Sequence, residues 1–227
     1  MTIQAIIFDL DGTIVDFNLD YKALRGDIQA LLLRAGVPPS ILPFNQGVFD
    51  MLQKAELYFK NNAKPERYTN VRVQSLAIAE KYEKEAANTT NLIPGALETL
   101  RTLKTHCLKI GLCTLNSKAA TTYILNRFKI NEYFQTVITR EQVTQVKPDT
   151  HQLELTLNTL GVSADVTIVV GDSVLDMQSA RELKIVAVGL LSAKGASTKE
   201  QLIESGANYL VTSLTDLPAL IKKIEKA

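Results

Sequence analysis

Two aspartates, Asp9 and Asp11, follow an apolar run at residues 3–8 and lead directly into the dipeptide Gly12-Thr13. Because side chains alternate along a β-strand, both carboxylates are expected on the same side, just past the carboxyl end of the strand. Two carboxylates about 4 Å apart repel each other by roughly 4 kcal/mol at an effective dielectric constant near 20. Such a site needs a bound cation, a shared proton or both. The motif therefore predicts metal-assisted phosphoryl chemistry.

A structural interpretation of the same residues also exists, because aspartate and glycine are common in solvated turns. The later part of the chain favours a functional interpretation, because it places more polar residues at or near the ends of apolar runs. These residues are Thr114, Asn116, Lys147, Asp172 and Ser173. Ligands of open parallel sheets bind outside the carboxyl ends of the strands, so these side chains are expected to converge there.

The segment 16–90 has several helical periodicities and no convincing strand pattern, so it is predicted to form an all-helical domain. Its third helix is expected to cover residues 70–87. The side chains expected to face inward from that helix are Val73, Leu76, Ala77 and Tyr82.

From residue 91 onward, predicted strands and helices alternate, which is typical of a parallel sheet covered by helices on both faces. Together with the opening strand, this pattern predicts an α/β fold with a doubly wound parallel sheet. The core domain is predicted to comprise residues 1–15 and 91–227, with the helical domain 16–90 inserted between them.

Composition excludes several classes of protein. A net charge of +1 provides no basic field for nucleic acid, and no apolar stretch approaches the roughly 20 residues that cross a bilayer. Met1 leads directly into the first strand without a secretory pattern, so a cytoplasmic protein is expected. Cys107 and Cys113 are expected to be reduced, buried thiols.

The four segments that carry these polar residues resemble the four motifs of the haloacid dehalogenase superfamily, in the same order. They are Asp9-Leu10-Asp11-Gly12-Thr13, Thr114, Lys147-Pro148 and Gly171-Asp172-Ser173 with Asp176. The sequence is most similar to the branch that resembles phosphoglycolate phosphatases. That resemblance implies a Rossmann-like core with a small helical cap inserted between the first and second motifs.

The resemblance also implies roles for the acidic residues. Asp9 is expected to be the nucleophile that forms an aspartyl-phosphate, and Asp11 the general acid and then the general base, with a raised pKa. Mg²⁺ is expected to bind the carboxylates of Asp9 and Asp172 and the backbone carbonyl of Asp11. Asp176 is expected to orient metal-bound waters or Lys147.

The remaining motif residues are expected to bind the phosphoryl group or to support the site. Thr114 is expected to donate a hydrogen bond to the phosphoryl group, and Lys147 to neutralise its charge. Leu115 stands where many relatives have asparagine, so either its backbone N–H or the side chain of Asn116 is expected to contact phosphate. Supporting positions are assigned to Thr13 and Ser173.

The resulting hypothesis is a magnesium-dependent phosphatase for a small phosphorylated metabolite, such as phosphoglycolate or a sugar phosphate, acting as a monomer or homodimer. Asp11 argues against haloacid chemistry, because dehalogenases of the superfamily lack this second aspartate. A phosphomutase of the β-phosphoglucomutase type uses the same two aspartates and stays open. A phosphoryl-accepting regulatory domain is a weaker alternative, because such receivers are smaller and have no cap. A non-catalytic binding protein is also weaker, because the set of motif residues is complete.

Overall fold

The structure is a computed structural model that describes residues 2–16, 18–43, 46–192 and 196–226. The chain divides into two compact units. The first comprises Met1–Phe17 and Thr90–Ala227, and the second comprises Asn18–Thr89.

The first unit is built on a parallel sheet. Its strands are β1 (Ala5–Phe8), β2 (Lys109–Cys113), β3 (Thr136–Ile138), β4 (Thr167–Gly171), β5 (Val186–Leu190) and β6 (Tyr209–Val211). Their order across the sheet is β3-β2-β1-β4-β5-β6, and all neighbouring pairs are parallel. The predicted doubly wound α/β fold is therefore confirmed.

The central strand β1 positions the start of the first motif. All four of its residues are buried, as expected for a strand covered on both faces. Phe8 is in register with Leu112 of β2 and Val170 of β4, so the three strands end at nearly the same level. The strand order reverses direction between β1 and β4, and such a reversal opens a crevice at the carboxyl edge of a sheet.

Helices connect the strands and form the second unit. They are α1 (Tyr21–Arg34), α2 (Val48–Asn61), α3 (Pro65–Thr89), α4 (Ala96–Thr105), α5 (Lys118–Arg127), α6 (His151–Leu160), α7 (Val174–Glu182), α8 (Lys199–Ser205) and α9 (Leu217–Lys226). Residues on α6, α7 and α8 form one buried apolar cluster with Ala5 and Ile7 of β1. Because side chains alternate, Ile6 and Phe8 point to the opposite face, where they are also fully buried.

Two helices differ from the sequence-based expectation. The sequence predicts a helix from about Pro148 to Leu160, but this helix, α6, begins only at His151. The side chain of Asp149 caps the His151 N–H, and Lys147 lies in the loop before the helix. The short helix α8 was not predicted, although its signals are present in the sequence. Thr198 and Gln201 form a capping box at its start, and Gly206 follows its end with a φ of +118°.

The second unit has its own apolar core, formed by α1, α2 and α3 with residues such as Ile28 and Phe59. The predicted inward face of α3 is partly wrong. Val73 is 61% exposed and Ala77 is exposed, whereas Leu76 and Tyr82 are partly buried. The buried row consists of Val71, Ser75, Ala79, Glu83, Ala86 and Ala87. Small side chains let α3 pack closely, so the largest apolar residues do not mark its inner face.

The expectation of two buried thiols is correct only for Cys113. Cys107 is exposed, in the turn after α4, with a φ of +58°. A left-handed residue at this position ends the helix, and here its side chain is left in solvent. No helix in the described part of the chain is long and apolar enough to cross a membrane.

Candidate active site

Three aspartates meet at the carboxyl edge of the sheet. Asp9 follows β1, Asp172 follows β4, and Asp176 lies in the first turn of α7. One carboxylate oxygen of each lies within 4.8 Å of the other two. Asp172 and Asp176 are buried, and the side chain of Asp9 is 11% exposed. Three acids this close in a poorly hydrated place require nearby positive charge, bound protons or both.

Lys147 supplies positive charge from the loop before α6. Its Nζ lies 2.7 Å from Asp9 Oδ1 and 2.7 Å from Asp176 Oδ1, and it donates to the backbone carbonyl of Cys113 at 2.6 Å. The three N–H donors of the ammonium group therefore all have acceptors. Burial lowers the pKa of Lys147, but the carboxylates of Asp176 and Asp9 outweigh this effect and hold its pKa well above the usual value. Lys147 is charged throughout the physiological range.

One lysine does not compensate the whole cluster. Burial raises the pKa of Asp9 to about 7; Lys147 opposes this rise, while the neighbouring carboxylates of Asp176 and Asp172 add to it. Burial raises the pKa of Asp172 to about 6, with a further contribution from Asp176. A divalent cation beside these groups would lower both pKa values and keep the carboxylates ionised.

The chemistry of the donors fits a hard cation such as Mg²⁺. The cluster found among the described residues offers carboxylate oxygens only. Both oxygens of Asp176 already accept hydrogen bonds, one from Lys147 and one from Ser173, which leaves Asp9 and Asp172 as the better placed ligands. Burial raises the pKa of the nearby Cys113 thiol to about 12, so it stays neutral and is a poor metal ligand.

Two glycines make room for the carboxylates. Gly12 has a φ of +77°, and a Cβ on it would lie 2.1 Å from Asp172 Oδ2. A Cβ on Gly171 would lie 2.4 Å from Asp176 Oδ2. Any side chain at either position would displace an acid, so Gly12 does more than permit the turn that the sequence predicts.

Asp11 lies in the turn after β1, and its carboxylate is held by Asn116, two residues after the second motif. The turn is closed by a hydrogen bond of 2.8 Å from the Gly12 N–H to the Val15 carbonyl. Asn116, which is 4% exposed, donates from Nδ2 to Asp11 Oδ1 at 2.9 Å. The predicted contact between Asn116 and phosphate stays a prediction, and its contact with Asp11 is a finding that the sequence did not suggest.

Thr114 and Thr13 are both fully buried, but their hydroxyl groups differ in their partners. Thr114 Oγ1 accepts the Asn116 N–H at 3.1 Å, so its proton can still be donated to another acceptor. Thr13 Oγ1 has no hydrogen-bond partner among the described residues. The geometry of Thr114 is compatible with the predicted donation to a phosphoryl oxygen.

Ser173 and Asp176 form a capping box at the start of α7. Ser173 Oγ donates to Asp176 Oδ2 at 2.6 Å, and the Ser173 N–H donates to the same oxygen at 3.2 Å. In return, the Asp176 N–H donates to Ser173 Oγ at 3.3 Å. The cap fixes the Asp176 carboxylate with its second oxygen on Lys147.

Two buried polar residues beside the motifs were missed by sequence analysis. Gln152, in the first turn of α6, donates to the Thr114 carbonyl and accepts the Lys147 N–H. Arg140, which is 3% exposed, donates to the Leu115 carbonyl at 3.0 Å. Arg140 follows the end of β3, so its place at the same edge of the sheet was a usable signal. Gln152 gave none, because polar residues in a first helical turn are usually exposed.

Comparison with known proteins shows that the chain is similar to phosphatases. A family model described as haloacid dehalogenase-like hydrolase matches residues 6–190. A phosphoglycolate phosphatase of Cereibacter sphaeroides is 32% identical over 179 residues, covering 77% of this chain and 79% of that protein. A phosphoglycolate phosphatase of Caulobacter vibrioides is 27% identical over 217 residues, covering 94% and 88%. The crystal structure of a hydrolase from Pseudomonas syringae, 24% identical, has the same fold, with a TM-score of 0.69 and coverage of 97% and 99%.

Proposed function

The chain belongs to the haloacid dehalogenase-like hydrolase family and is a phosphoric monoester hydrolase, and from this premise we propose that it is a magnesium-dependent phosphatase of a small phosphorylated metabolite. The observation that carries the proposal is the pairing of Asp9 with Lys147 at 2.7 Å inside a cluster that also contains Asp172. This arrangement combines an acidic nucleophile, a fixed cation and oxygen ligands for a metal in one place.

In the proposed first step, a carboxylate oxygen of Asp9 attacks phosphorus in line with the ester oxygen. The P–O bond to the alcohol breaks, and an aspartyl-phosphate forms on Asp9. Lys147 and the Thr114 hydroxyl stabilise the negative charge on the transferred group. Asp11 gives a proton to the departing alkoxide, which leaves as the alcohol.

In the proposed second step, Asp11 takes a proton from water, and the water oxygen attacks the phosphorus of the aspartyl-phosphate. The bond between Asp9 and phosphorus breaks, inorganic phosphate leaves, and the carboxylate of Asp9 is restored. The hydrogen bond from Asn116 Nδ2 to Asp11 Oδ1 supports this role, because it fixes the position of the Asp11 carboxyl group beside the cluster.

Mg²⁺ held by Asp9, Asp172 and the backbone carbonyl of Asp11 would bind the phosphoryl group and neutralise charge as it shifts. Support comes from the oxygen-only donor set and from the raised pKa values of Asp9 and Asp172, which mark uncompensated negative charge.

The substrate is proposed to be a small phosphate ester. Phosphoglycolate is the first candidate, because the similar proteins from Cereibacter sphaeroides and Caulobacter vibrioides are named phosphoglycolate phosphatases. The helical unit Asn18–Thr89 is proposed to be the cap that selects the substrate, because it is inserted as a separate unit after the first motif. The cytoplasmic location and the monomeric or homodimeric state stay predictions from the sequence.

A screen of phosphorylated metabolites tests the proposed function. We expect at least one ester of a small acid or sugar to release free phosphate, in amounts equal to the alcohol formed. Isomeric sugar phosphates should be measured in the same reactions. Formation of an isomer without free phosphate would replace the phosphatase with a phosphomutase.

Replacing Asp11 with asparagine is expected to lower kcat by about 100-fold or more, which is the usual contribution of a general acid or base. With a good leaving group, we expect the loss of rate to be small in the formation of the aspartyl-phosphate and large in its hydrolysis. With p-nitrophenyl phosphate, whose leaving group needs little protonation, we expect one rapid equivalent of p-nitrophenol per enzyme and then slow turnover. Stopped-flow absorbance measures both phases. A wild-type steady-state rate in Asp11→Asn would assign the proton transfers to another residue.

A further inference from the structure

We propose that Gln152 is a positioning residue that orients the loop at residues 114–116, which carries proposed phosphate ligands. This inference rests on the proposed phosphatase function. The side chain of Gln152 is fully buried in the first turn of α6. Its Nε2 donates to the Thr114 carbonyl at 2.9 Å, and its Oε1 accepts the Lys147 N–H at 3.2 Å. One side chain thus ties together the two loops that carry the proposed phosphate ligands.

The contact with Thr114 fixes the direction of a backbone donor. A trans peptide unit is planar, so the Thr114 carbonyl and the Leu115 N–H point in opposite directions. By holding the carbonyl, Gln152 turns the Leu115 N–H away from α6. That N–H is one of the groups expected to contact phosphate, although it does not touch Gln152.

Arg140 holds the next peptide unit in a similar way. It donates to the Leu115 carbonyl at 3.0 Å, while the Asn116 N–H of the same unit donates to Thr114 Oγ1 at 3.1 Å. Two successive carbonyls, which would repel a phosphate, are therefore paired with buried side chains. The loop presents donors to an anion because Gln152 and Arg140 occupy its acceptors.

The second hydrogen bond of Gln152 fixes the backbone of Lys147, whose side chain carries the positive charge of the site. The Nζ of Lys147 has three acceptors, which set its position only if the backbone of Lys147 is also fixed. Gln152 supplies that second constraint at the backbone N–H. Without it, the Thr114 carbonyl and the Lys147 N–H would be buried without partners, and the loops would shift to satisfy them.

Gln152→Met tests the proposal, with Thr156→Val as the matched control. Methionine keeps the length of glutamine and removes both hydrogen bonds. Thr156 lies one turn later in α6, is also fully buried, and donates to the Gln152 carbonyl at 2.6 Å. Both variants lose buried hydrogen bonding in the same helix, but only Gln152→Met releases the two loops.

We expect Gln152→Met to raise the inhibition constant of orthovanadate and to lower kcat/KM for p-nitrophenyl phosphate, each by about 10–100-fold, the scale for groups that orient direct ligands. Thr156→Val should change each by less than about 3-fold, even where thermal denaturation shows an equal loss of stability. A purely structural role for Gln152 would give the two variants the same kinetics and would overturn the proposal.

Gln152→Asn covers the case in which the methionine variant does not fold. Asparagine keeps an amide in the buried space but is one methylene too short to reach both backbone groups. A folded Gln152→Asn with wild-type inhibition by orthovanadate would also overturn the proposal. If the wild-type protein neither hydrolyses phosphate esters nor binds orthovanadate, the proposed function fails, and this inference fails with it. An active wild type with unaffected Gln152 variants would overturn the inference alone.

Discussion

Asp9→Asn is expected to abolish turnover of phosphate esters, with a fall in kcat of at least about 10⁴-fold, the scale for removal of a covalent nucleophile. An amide is too weak a nucleophile to form the acyl-phosphate, although asparagine has nearly the same shape as aspartate. Initial rates with p-nitrophenyl phosphate measure the loss. Mass spectrometry of the intact protein after acid quenching should show one added phosphoryl group in Asp11→Asn and none in Asp9→Asn.

Asp165→Asn is the control for this charge change. Asp165 is an exposed aspartate just before β4, at the opposite edge of the sheet from the cluster, and its substitution should leave kcat within about 2-fold of the wild-type value. Turnover by Asp9→Asn near the wild-type rate, in a preparation in which Asp165→Asn behaves normally, would remove Asp9 as the nucleophile.

The sequence could predict where Asp9 and Asp172 meet because parallel strands bring their carboxyl ends to one edge. Apolar runs mark the strands, and the residues that follow them must then be neighbours, whatever the details of packing. The register confirms this argument, since Phe8 is level with Val170 and the next residues are Asp9 and Gly171. The fold class follows from the same alternation of strands and helices.

Contacts that depend on side-chain direction could not be predicted in this way. Neither spacing nor hydrophobic pattern shows that Asn116 reaches Asp11 or that Gln152 bridges two loops, because each contact joins residues far apart in the chain. The inner face of α3 was partly wrong for a related reason. A row of small side chains around Ala79 packs inward, while Val73 stays exposed, and hydrophobicity alone ranks them in the reverse order.

Burial of the aspartate cluster lowers the free energy of unfolding, and the contribution of Asp172 can be measured. The pKa of Asp172 is about 6 in the folded protein, compared with an ordinary value of 3.8. Below pH 3.8 the group is protonated in both the folded and the unfolded states. As the pH rises from 3.8 to about 6, the unfolded chain releases this proton first, so the free energy of unfolding falls. Above that range the loss is complete, unless a bound cation offsets it.

Asp172→Asn should therefore make the metal-free protein more stable while it destroys activity. Asparagine avoids the burial of a charge, and its carbonyl oxygen can still accept the hydrogen bond that Ala196 N–H gives to Asp172 Oδ2 at 2.8 Å. In the presence of a chelator, we expect the melting temperatures of Asp172→Asn and the wild-type protein to be equal near pH 4 and to diverge by a few degrees by pH 7. Asp165→Asn, which changes an exposed acid, should follow the wild-type curve.

The same variant tests the metal. Wild-type activity should vanish with a chelator and return with Mg²⁺, and Mg²⁺ should raise the wild-type melting temperature, because a ligand that binds only the folded state stabilises it.

Asp172→Asn should lose about 10³-fold in kcat, since a metal ion contributes several kcal/mol of charge stabilisation. It should also show no thermal shift with Mg²⁺. A wild-type Mg²⁺ response in Asp172→Asn would place the cation elsewhere, and a lower melting temperature at pH 7 would mean that Asp172 is a stabilising charge. Together, a gain of stability and a loss of activity in Asp172→Asn would show that the buried Asp172 carboxylate destabilises the metal-free fold and is needed to bind the cation.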